Sequence, residues 1–503
     1  MGIKNDALAS FFLLAFLIAM GWTFLFMCTP VWGNDVWWHL KTGEYIVQEG
    51  RFPRTALFPH PYADRPWINL HWLYQVSQYG LYRLGDCSAL ILCQAFCICL
   101  SMVITLFPLL RKKECAWSAL AIFLASFILN QRALIRPESY SYVFLALFLS
   151  LLESYRREGK KWILVLPLLQ MVWTNVQGIS ILGTGLVGLY WIDEIGEGRR
   201  KKCMEWGTLL FFVLVACLAA SLINPYGWKG AVHPFLLFGV IQGKSPAWKE
   251  TITEFSPLWT ALGRYHFIPQ MAFLAVASLP LFYFLKYRRE RMARHVVVYC
   301  VFLALSLMAV RNLSLLVLVC LFILARCDAL WDRFNRGKAC CAALVGIAAL
   351  SMGWALLAGR YYRYVGDARR FGMHGVDETR YPRKAIEYIQ KHLRPGNLFH
   401  CLNDGGYLVW HLYPTYKVFI DTRIDPVVMD ENHFLDYLRM CEDRLFFEKM
   451  ATRHMISIVL LRLDCVHQAD TFSLVFEGNP RWKVVFHDPE EASLILVLRS
   501  ERH

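Results

Sequence analysis

The chain has 503 residues, of which 56% are hydrophobic and only 18% charged. So little charge excludes an ordinary soluble protein, and the apolar residues gather in blocks of membrane-spanning length. The net charge of +14 does not indicate a nucleic-acid partner. The Lys and Arg lie in short clusters between apolar blocks, as expected where they orient membrane helices.

The first apolar block, 7–28, has no small-residue cleavage pattern after it and reads as a retained helix rather than a signal peptide. A polar, aromatic stretch follows at 29–86, too rich in Trp and Tyr for a plain linker. Asp35 stands just past the end of the first span. If it opens a helix, Asp35 and His39 share one face. A second short helix is expected at 67–83, with Trp67, Trp72, Tyr74, Tyr79 and Tyr82 suited to a headgroup layer. His60 falls between the two helices and His71 near the start of the second. Further spans are expected at 87–110, 116–131, 138–154, 162–177, 179–195, 206–223, 267–286, 295–310, 312–327 and 339–358, making about eleven.

Basic clusters at 111–113, 156–161, 199–202, 286–294 and 333–338 fall in every second connection. By the positive-inside rule those connections and the N-terminus are cytoplasmic. The stretch 29–86, the long connection 224–266 and the C-terminal region are then outside. The outer connections place Arg132, Arg136 and Glu138, then Asn175, then Asn224 and Lys229, then Arg311, on the side of Asp35. One Arg at a helix end is ordinary snorkelling. Several on one side suggest a shared cavity, because charge near hydrocarbon is costly unless it faces a partner.

The composition changes after Gly359. A helix is expected at 382–393, strands at 397–402, 417–421, 456–461, 483–487 and 493–498, a turn at 403–406 and a helix near 431–449. Residues 1–359 thus read as a membrane domain and 360–503 as a small α/β domain of ordinary size. Its cysteines, Cys401, Cys441 and Cys465, are odd in number, so at least one stays unpaired within the chain. Cysteines in the apolar blocks read as buried small hydrophobes, and no paired CxxC pattern indicates structural zinc.

An acid ringed by aromatics and accompanied by several Arg suits a lipid phosphate carrying a sugar. The Arg would hold the phosphate. Asp35 could act as general base or ligate a divalent metal. The plainer roles are helix N-capping for Asn34 or Asp35 and interfacial hydrogen bonding for His39 and His71.

The stretch NDVWWHLKTGEYIVQEGRFPRTALF, followed by PWINLHWLYQ, resembles the first outer loop of bacterial GT-C-type membrane glycosyltransferases, similar to protein mannosyltransferases and other polyprenyl-phosphate-sugar enzymes. The likeness continues in RPESYSY, WTNVQGISILG, INPYG, ITEFSP, VRNLSLL, NDGGYLVWHL and VFIDTRID. The resemblance implies that Asp35 is the essential first-loop acid. Thr251-Ile252-Thr253-Glu254 resembles the T-I-x-E motif of oligosaccharyltransferases, which implies a catalytic or metal role for Glu254. It allows Mg²⁺ or Mn²⁺ as cofactor, held by Asp35 and Glu254. The first loop has Asn34-Asp35 where two acids flanking one residue would be expected, and Gln177 stands where related sequences have His.

The expectation is therefore an α-helical, GT-C-like polytopic protein of the bacterial inner membrane with a small extracytoplasmic α/β domain. It would transfer a sugar, with inversion, from a polyprenyl-phosphate donor to a glycan, lipid or protein acceptor outside. Catalytic candidates are Asp35, His39 and Glu254. Substrate-binding candidates are Arg132, Arg136, Glu138, Asn175, Asn224, Arg311, His71 and Trp72. A lipid or glycan flippase and a non-catalytic envelope-assembly protein of the same fold are the alternatives.

Overall fold

The computed structural model describes residues 2–112, 114–196, 201–243, 253–262, 267–287, 292–327, 331, 337–423, 431–465 and 468–499. The chain separates into two compact units. One comprises Met1–Pro30, Cys87–Pro234 and Lys249–Gly375; the other Val31–Asp86, Phe235–Trp248 and Val376–His503. Sequence composition divides the chain once, at 359/360. Contacts divide it differently, because the first aromatic stretch packs with the C-terminal strands.

The first unit is helical. It contains α1 (Gly2–Met27), most of α3 (Trp72–Arg111), α4 (Cys115–Asn130), α5 (Glu138–Glu158), α6 (Leu166–Val176), α7 (Ile181–Gly196), α8 (Lys201–Ser221) and the start of α9 (Trp228–Gly243). After the short α10 (Leu258–Leu262) come α11 (Phe267–Lys286), α12 (Ala293–Met308), α13 (Leu313–Leu324), α14 (Lys338–Leu357) and α15 (Tyr361–Tyr364). Every predicted span thus has a helix. Four stretches among the described residues are long and apolar enough to cross a membrane: Ala7–Met27, Trp72–Arg111, Phe267–Lys286 and Lys338–Leu357. Several others are shorter apolar helices. α1 packs on α4 and α14. Trp22 seals that seam, stacking on Phe26 at 4.5 Å and donating to Ser126 Oγ at 3.0 Å.

The predicted helix at 67–83 starts later, at Trp72, and runs on into the next span as α3. The helix breaks at Gly85 and Asp86, whose φ/ψ leave the helical region, and the unit boundary falls there. Trp67, Tyr74 and Tyr79 are buried within the second unit, at 5%, 1% and 6% exposure. They serve packing, not the headgroup layer expected of them.

The second unit holds α2 (Asp35–Glu49), the first turns of α3, and a five-stranded sheet with α16 (Arg383–His392), α17 (Gly405–Leu412), α18 (Glu431–Glu442) and α19 (Arg444–Arg453). Strands β1 (Asn397–His400), β2 (Lys417–Val418), β3 (Ile456–Arg462), β4 (Trp482–Asp488) and β5 (Ser493–Leu498) lie in the order β2-β1-β3-β5-β4. β1 is parallel to β2 and β3, while β5 pairs antiparallel with β3 and β4. β3 is buried throughout, as a central strand covered on both faces requires. The helix expected near 431–449 is two, because Asp443 caps the second by accepting from Phe446 N at 2.9 Å. Cys401 and Cys465 form a disulfide, and Cys441 is free and buried.

The predicted turn at 403–406 is instead a 3₁₀ turn (Leu402–Asp404) opening α17. Two glycines make this possible. A Cβ at Gly405 would lie 2.4 Å from Ile420 O, and one at Gly406 would lie 2.6 Å from Asn34 O. α17 can therefore lie directly against the start of α2 and the residues after β2.

Candidate functional site

The candidate residues fall in both units, and each group is built within its own unit. In the second unit Asp35 is the first residue of α2. No side chain caps that helix, so its carboxylate serves elsewhere. Oδ1 accepts from Thr422 Oγ1 at 2.6 Å and from Trp38 Nε1, one turn on, at 3.3 Å. Tyr381 donates to Gly33 O at 3.0 Å and fixes the chain entering the helix. Trp37 stands edge-on to Tyr381 and Tyr407, at 5.5 and 4.9 Å.

His39 is 3% exposed. Its ring lies on Trp38, with centroids 3.6 Å apart, and is edge-on to His71 and Tyr74. Gln75 Nε2 lies 3.4 Å from His39 Nδ1, and Gln75 pairs with Asn69 through two amide hydrogen bonds. Trp72 stands edge-on to Phe52 at 4.9 Å. His39 thus joins α2 to His71 and Tyr74 at the start of α3, and Trp72 packs on the residues after α2.

Residues 421–423 form a rigid clip. Arg423 Nε bonds both Asp421 oxygens at 3.0 Å, Nη2 bonds Oδ2 at 2.6 Å, and Nη1 donates to Ala56 O at 2.8 Å. The guanidinium lies 4.6 Å from the Trp67 ring and 5.0 Å from Phe58. Both charged side chains are 2% exposed. Nearby in sequence, burial pushes the Asp404 carboxyl up to about 7, against the pull of Arg462, whose Nη1 lies 3.4 Å from Oδ1. Burial likewise pushes the His400 ring down to about 4.

In the first unit three connections bring charge together. Glu254, in a 3₁₀ turn (Thr253–Phe255), meets Arg132 Nη1 at 3.0 Å through Oε1 and Arg132 Nη2 at 3.3 Å through Oε2. Arg136 Nη1 donates to Oε1 at 2.5 Å. Arg311, in the 3₁₀ turn Val310–Asn312, donates to Glu138 Oε1 at 3.0 Å and covers the Phe255 ring at 5.3 Å. A backbone bond, Val310 N to Ser256 O at 3.0 Å, ties the last two turns. Glu138 Oε2 is buried with no hydrogen-bond partner among the described residues. Burial would raise the Glu254 carboxyl, but Arg136, Arg132 and Arg311 outweigh it and hold the group well below the usual carboxylate range. Among the described residues three guanidiniums therefore face two carboxylates. Thr251 and Ile252 of the T-I-x-E-like motif lie outside the described residues.

Two predicted binding residues are committed to backbone. Asn175 Nδ2 donates to Met171 O and Ile223 O at 2.7 and 2.8 Å. Asn224 bonds Ser221 O, Gly227 O and Tyr226 N, building the turn before α9. Lys229 is exposed.

The described residues do not fit the divalent ion that the resemblance allows. Both Glu254 oxygens accept from guanidiniums, which suits a counter-ion to cations rather than a metal ligand. Among the described residues no three His, Cys, Asp or Glu side chains converge as a metal site needs.

Sequence reading missed Thr422 and Trp38 as partners of Asp35. The only signal was local: Asp421 and Arg423, two apart, can pair with each other and leave the residue between them to point elsewhere.

No protein-family model and no curated protein matches the chain. Solved structures do. The Archaeoglobus fulgidus oligosaccharyltransferase in its apo form aligns at TM-score 0.57 over 90% of this chain and 69% of its own, with 12% identity. AglB, the archaeal oligosaccharyltransferase from Archaeoglobus fulgidus in complex with an inhibitory peptide and a dolichol-phosphate, aligns at 0.61 over 100% and 75%, with 10% identity. The Archaeoglobus fulgidus enzyme in complex with Zn and sulfate aligns at 0.56 over 95% and 72%, with 11% identity. At 10–12% identity the likeness is one of fold alone, and it agrees with the GT-C-like fold expected from the first-loop motif.

Proposed function

We propose that this protein is a membrane glycosyltransferase that moves a sugar from a polyprenyl-phosphate donor to an acceptor hydroxyl or amide outside the membrane. The observation that carries the reading is the guanidinium surplus among the described residues: Arg132 and Arg136 from one connection and Arg311 from another meet Glu254 and Glu138. Guanidiniums bind phosphate through paired, charge-assisted hydrogen bonds. Glu254 holds Arg132 and Arg136 in place and gives them up to the donor phosphate. One fold neighbour was solved with a dolichol-phosphate, and the same class of lipid phosphate is proposed as carrier here.

Asp35 takes the acceptor proton as general base. The acceptor atom bonds to the anomeric carbon from the face opposite the phosphate. The carbon–oxygen bond to phosphate breaks, its electron pair leaves with the lipid phosphate, and the configuration inverts. His39, with His71 and Tyr74, holds α2 to the start of α3 beneath Asp35, and Trp72 packs on the residues after α2. Glu138 anchors Arg311, and Asn175 and Asn224 shape the connections. The N-terminus lies in the cytoplasm and the C-terminal domain outside the inner membrane.

The reading is tested with the full chain in liposomes, supplied with labelled polyprenyl-phosphate hexoses and a mixture of envelope glycans, lipids and peptides. Release of polyprenyl phosphate coupled to label on an acceptor is expected. Translocation of intact donor with no bond cleavage would instead identify a flippase.

A further inference from the structure

We infer that Thr422 is the positioning residue for Asp35, supplied by the segment after β2 to an acid 387 residues earlier in the chain. The inference rests on Asp35 being the catalytic acid and goes beyond it by assigning what aims that acid.

Thr422 is clamped on both sides. Asp421 and Arg423 form a buried bidentate pair, and the Arg423 backbone N–H also bonds Asp421 Oδ1 at 3.0 Å. The pair is tied to Ala56 O and lies against Trp67 and Phe58. The backbone at 422 therefore has little freedom, and its hydroxyl reaches Asp35 Oδ1 at 2.6 Å. Asp35 is held equally firmly, since Gly406 touches Asn34 O and leaves no room for a side chain. Trp38 Nε1 meets the same Oδ1. Two donors on one oxygen fix the rotation of the carboxylate. A base must sit within hydrogen-bond reach of the proton it takes, and small misplacements of reacting groups cost large factors in rate.

The test uses the full chain in liposomes with the labelled polyprenyl-phosphate hexoses. Thr422→Val keeps shape and removes the donor, and Thr422→Ser keeps the donor. Hydrogen bonds to charged groups contribute about 1.5–3 kcal/mol, so Thr422→Val is expected to lower kcat by about tenfold to a hundredfold. KM for the donor should stay at the parent value, and Thr422→Ser should restore most of kcat. In an Asp35→Asn background Thr422→Val should change nothing further. If Thr422→Val does not fold, Thr422→Ala replaces it in the same comparison. Parent kcat in the Val or Ala protein, with activity lost in Asp35→Asn, overturns the positioning role and leaves the acid in place. Failure of Thr422→Ser to restore kcat also overturns it. Parent activity in Asp35→Asn overturns the reading beneath it.

Discussion

The two ends of α5 carry charge in opposite ways. At its start, Glu138 meets Arg311, while Arg136, two residues before the helix, joins Arg132 on Glu254. Near its other end, about 22 Å along the helix by the usual rise, Glu153 is enclosed. It accepts from Arg157 at 2.6 Å, from Arg294 at 3.1 and 3.2 Å and from Tyr190 at 3.0 Å, with His295 at 3.2 Å. Arg294 also reaches Asp193, and Arg156 joins Asp193 to Glu194. There, among the described residues, Arg156, Arg157 and Arg294 pair with Glu153, Asp193 and Glu194, the buried Arg326 guanidinium lies close by, and Glu153 is 1% exposed. At the start of the helix three described guanidiniums meet two described carboxylates, and Glu254 and Arg311 keep 22% and 28% of their side chains exposed. A closed network holds helices together. A partly open one leaves its guanidiniums within reach of an anion that the chain does not itself supply.

That contrast can be broken from either end. Arg294→Ala leaves a buried carboxylate short of partners, which typically costs about 3–5 kcal/mol. Thermal melting in detergent should fall markedly, while the folded fraction binds a polyprenyl-phosphate hexose with parent affinity. Donor binding lost in step with Arg294 would erase the distinction between the two clusters. Arg136→Ala should do the reverse. A lost charge-assisted contact of about 1.5–3 kcal/mol weakens donor binding roughly tenfold to a hundredfold. Melting should barely move, because Arg132 still holds Glu254. Unchanged donor affinity would make the surplus a structural accident.

A smaller effect extends the contrast to the second unit, where Asp404 is buried beside a single arginine. Its folded pKa is raised, to about 7, so the folded chain keeps a proton that the unfolded chain has lost. This contribution to stability is present at low pH and disappears as pH rises through about 7. Asp404→Asn cannot ionise. Its advantage over the parent should grow by about 1 kcal/mol from pH 6 to pH 8, read as slower hydrogen exchange in β1 and α17. A pH-independent difference would show that Asp404 is ionised throughout.

Much of the fold was legible because it is written locally. Apolar blocks located the helices of the first unit. Asn34-Asp35 ahead of VWWHL located the start of α2, and the short apolar, β-branched runs ISIVLL and SLILVL located β3 and β5. Asn403-Asp404-Gly405-Gly406 misled for a physical reason. Its residues have turn chemistry, but the glycines are there for close approach of a helix to backbone. The aromatics of the first stretch misled similarly, since a Trp or Tyr suits a protein core as well as an interface. The candidate sites were legible as residue types and not as partnerships. Asp35 with Thr422, and Glu254 with Arg132 and Arg136, are separated by more than a hundred residues. No periodicity encodes such pairs.

The central claim is that Asp35 performs chemistry on a lipid-phosphate sugar, and one substitution tests it most directly. Asp35→Asn keeps the shape of the side chain, and its amide oxygen can still accept from Thr422 and Trp38. It removes the basicity, and loss of a general base typically costs on the order of 10²–10⁴ in rate. Transfer from the labelled polyprenyl-phosphate hexose is measured beside donor binding, in liposomes, on protein with parent melting behaviour. We expect binding at the parent level and transfer reduced by at least about a hundredfold. Transfer at near the parent rate would contradict the account and leave Asp35 as a structural tie between α2 and Thr422.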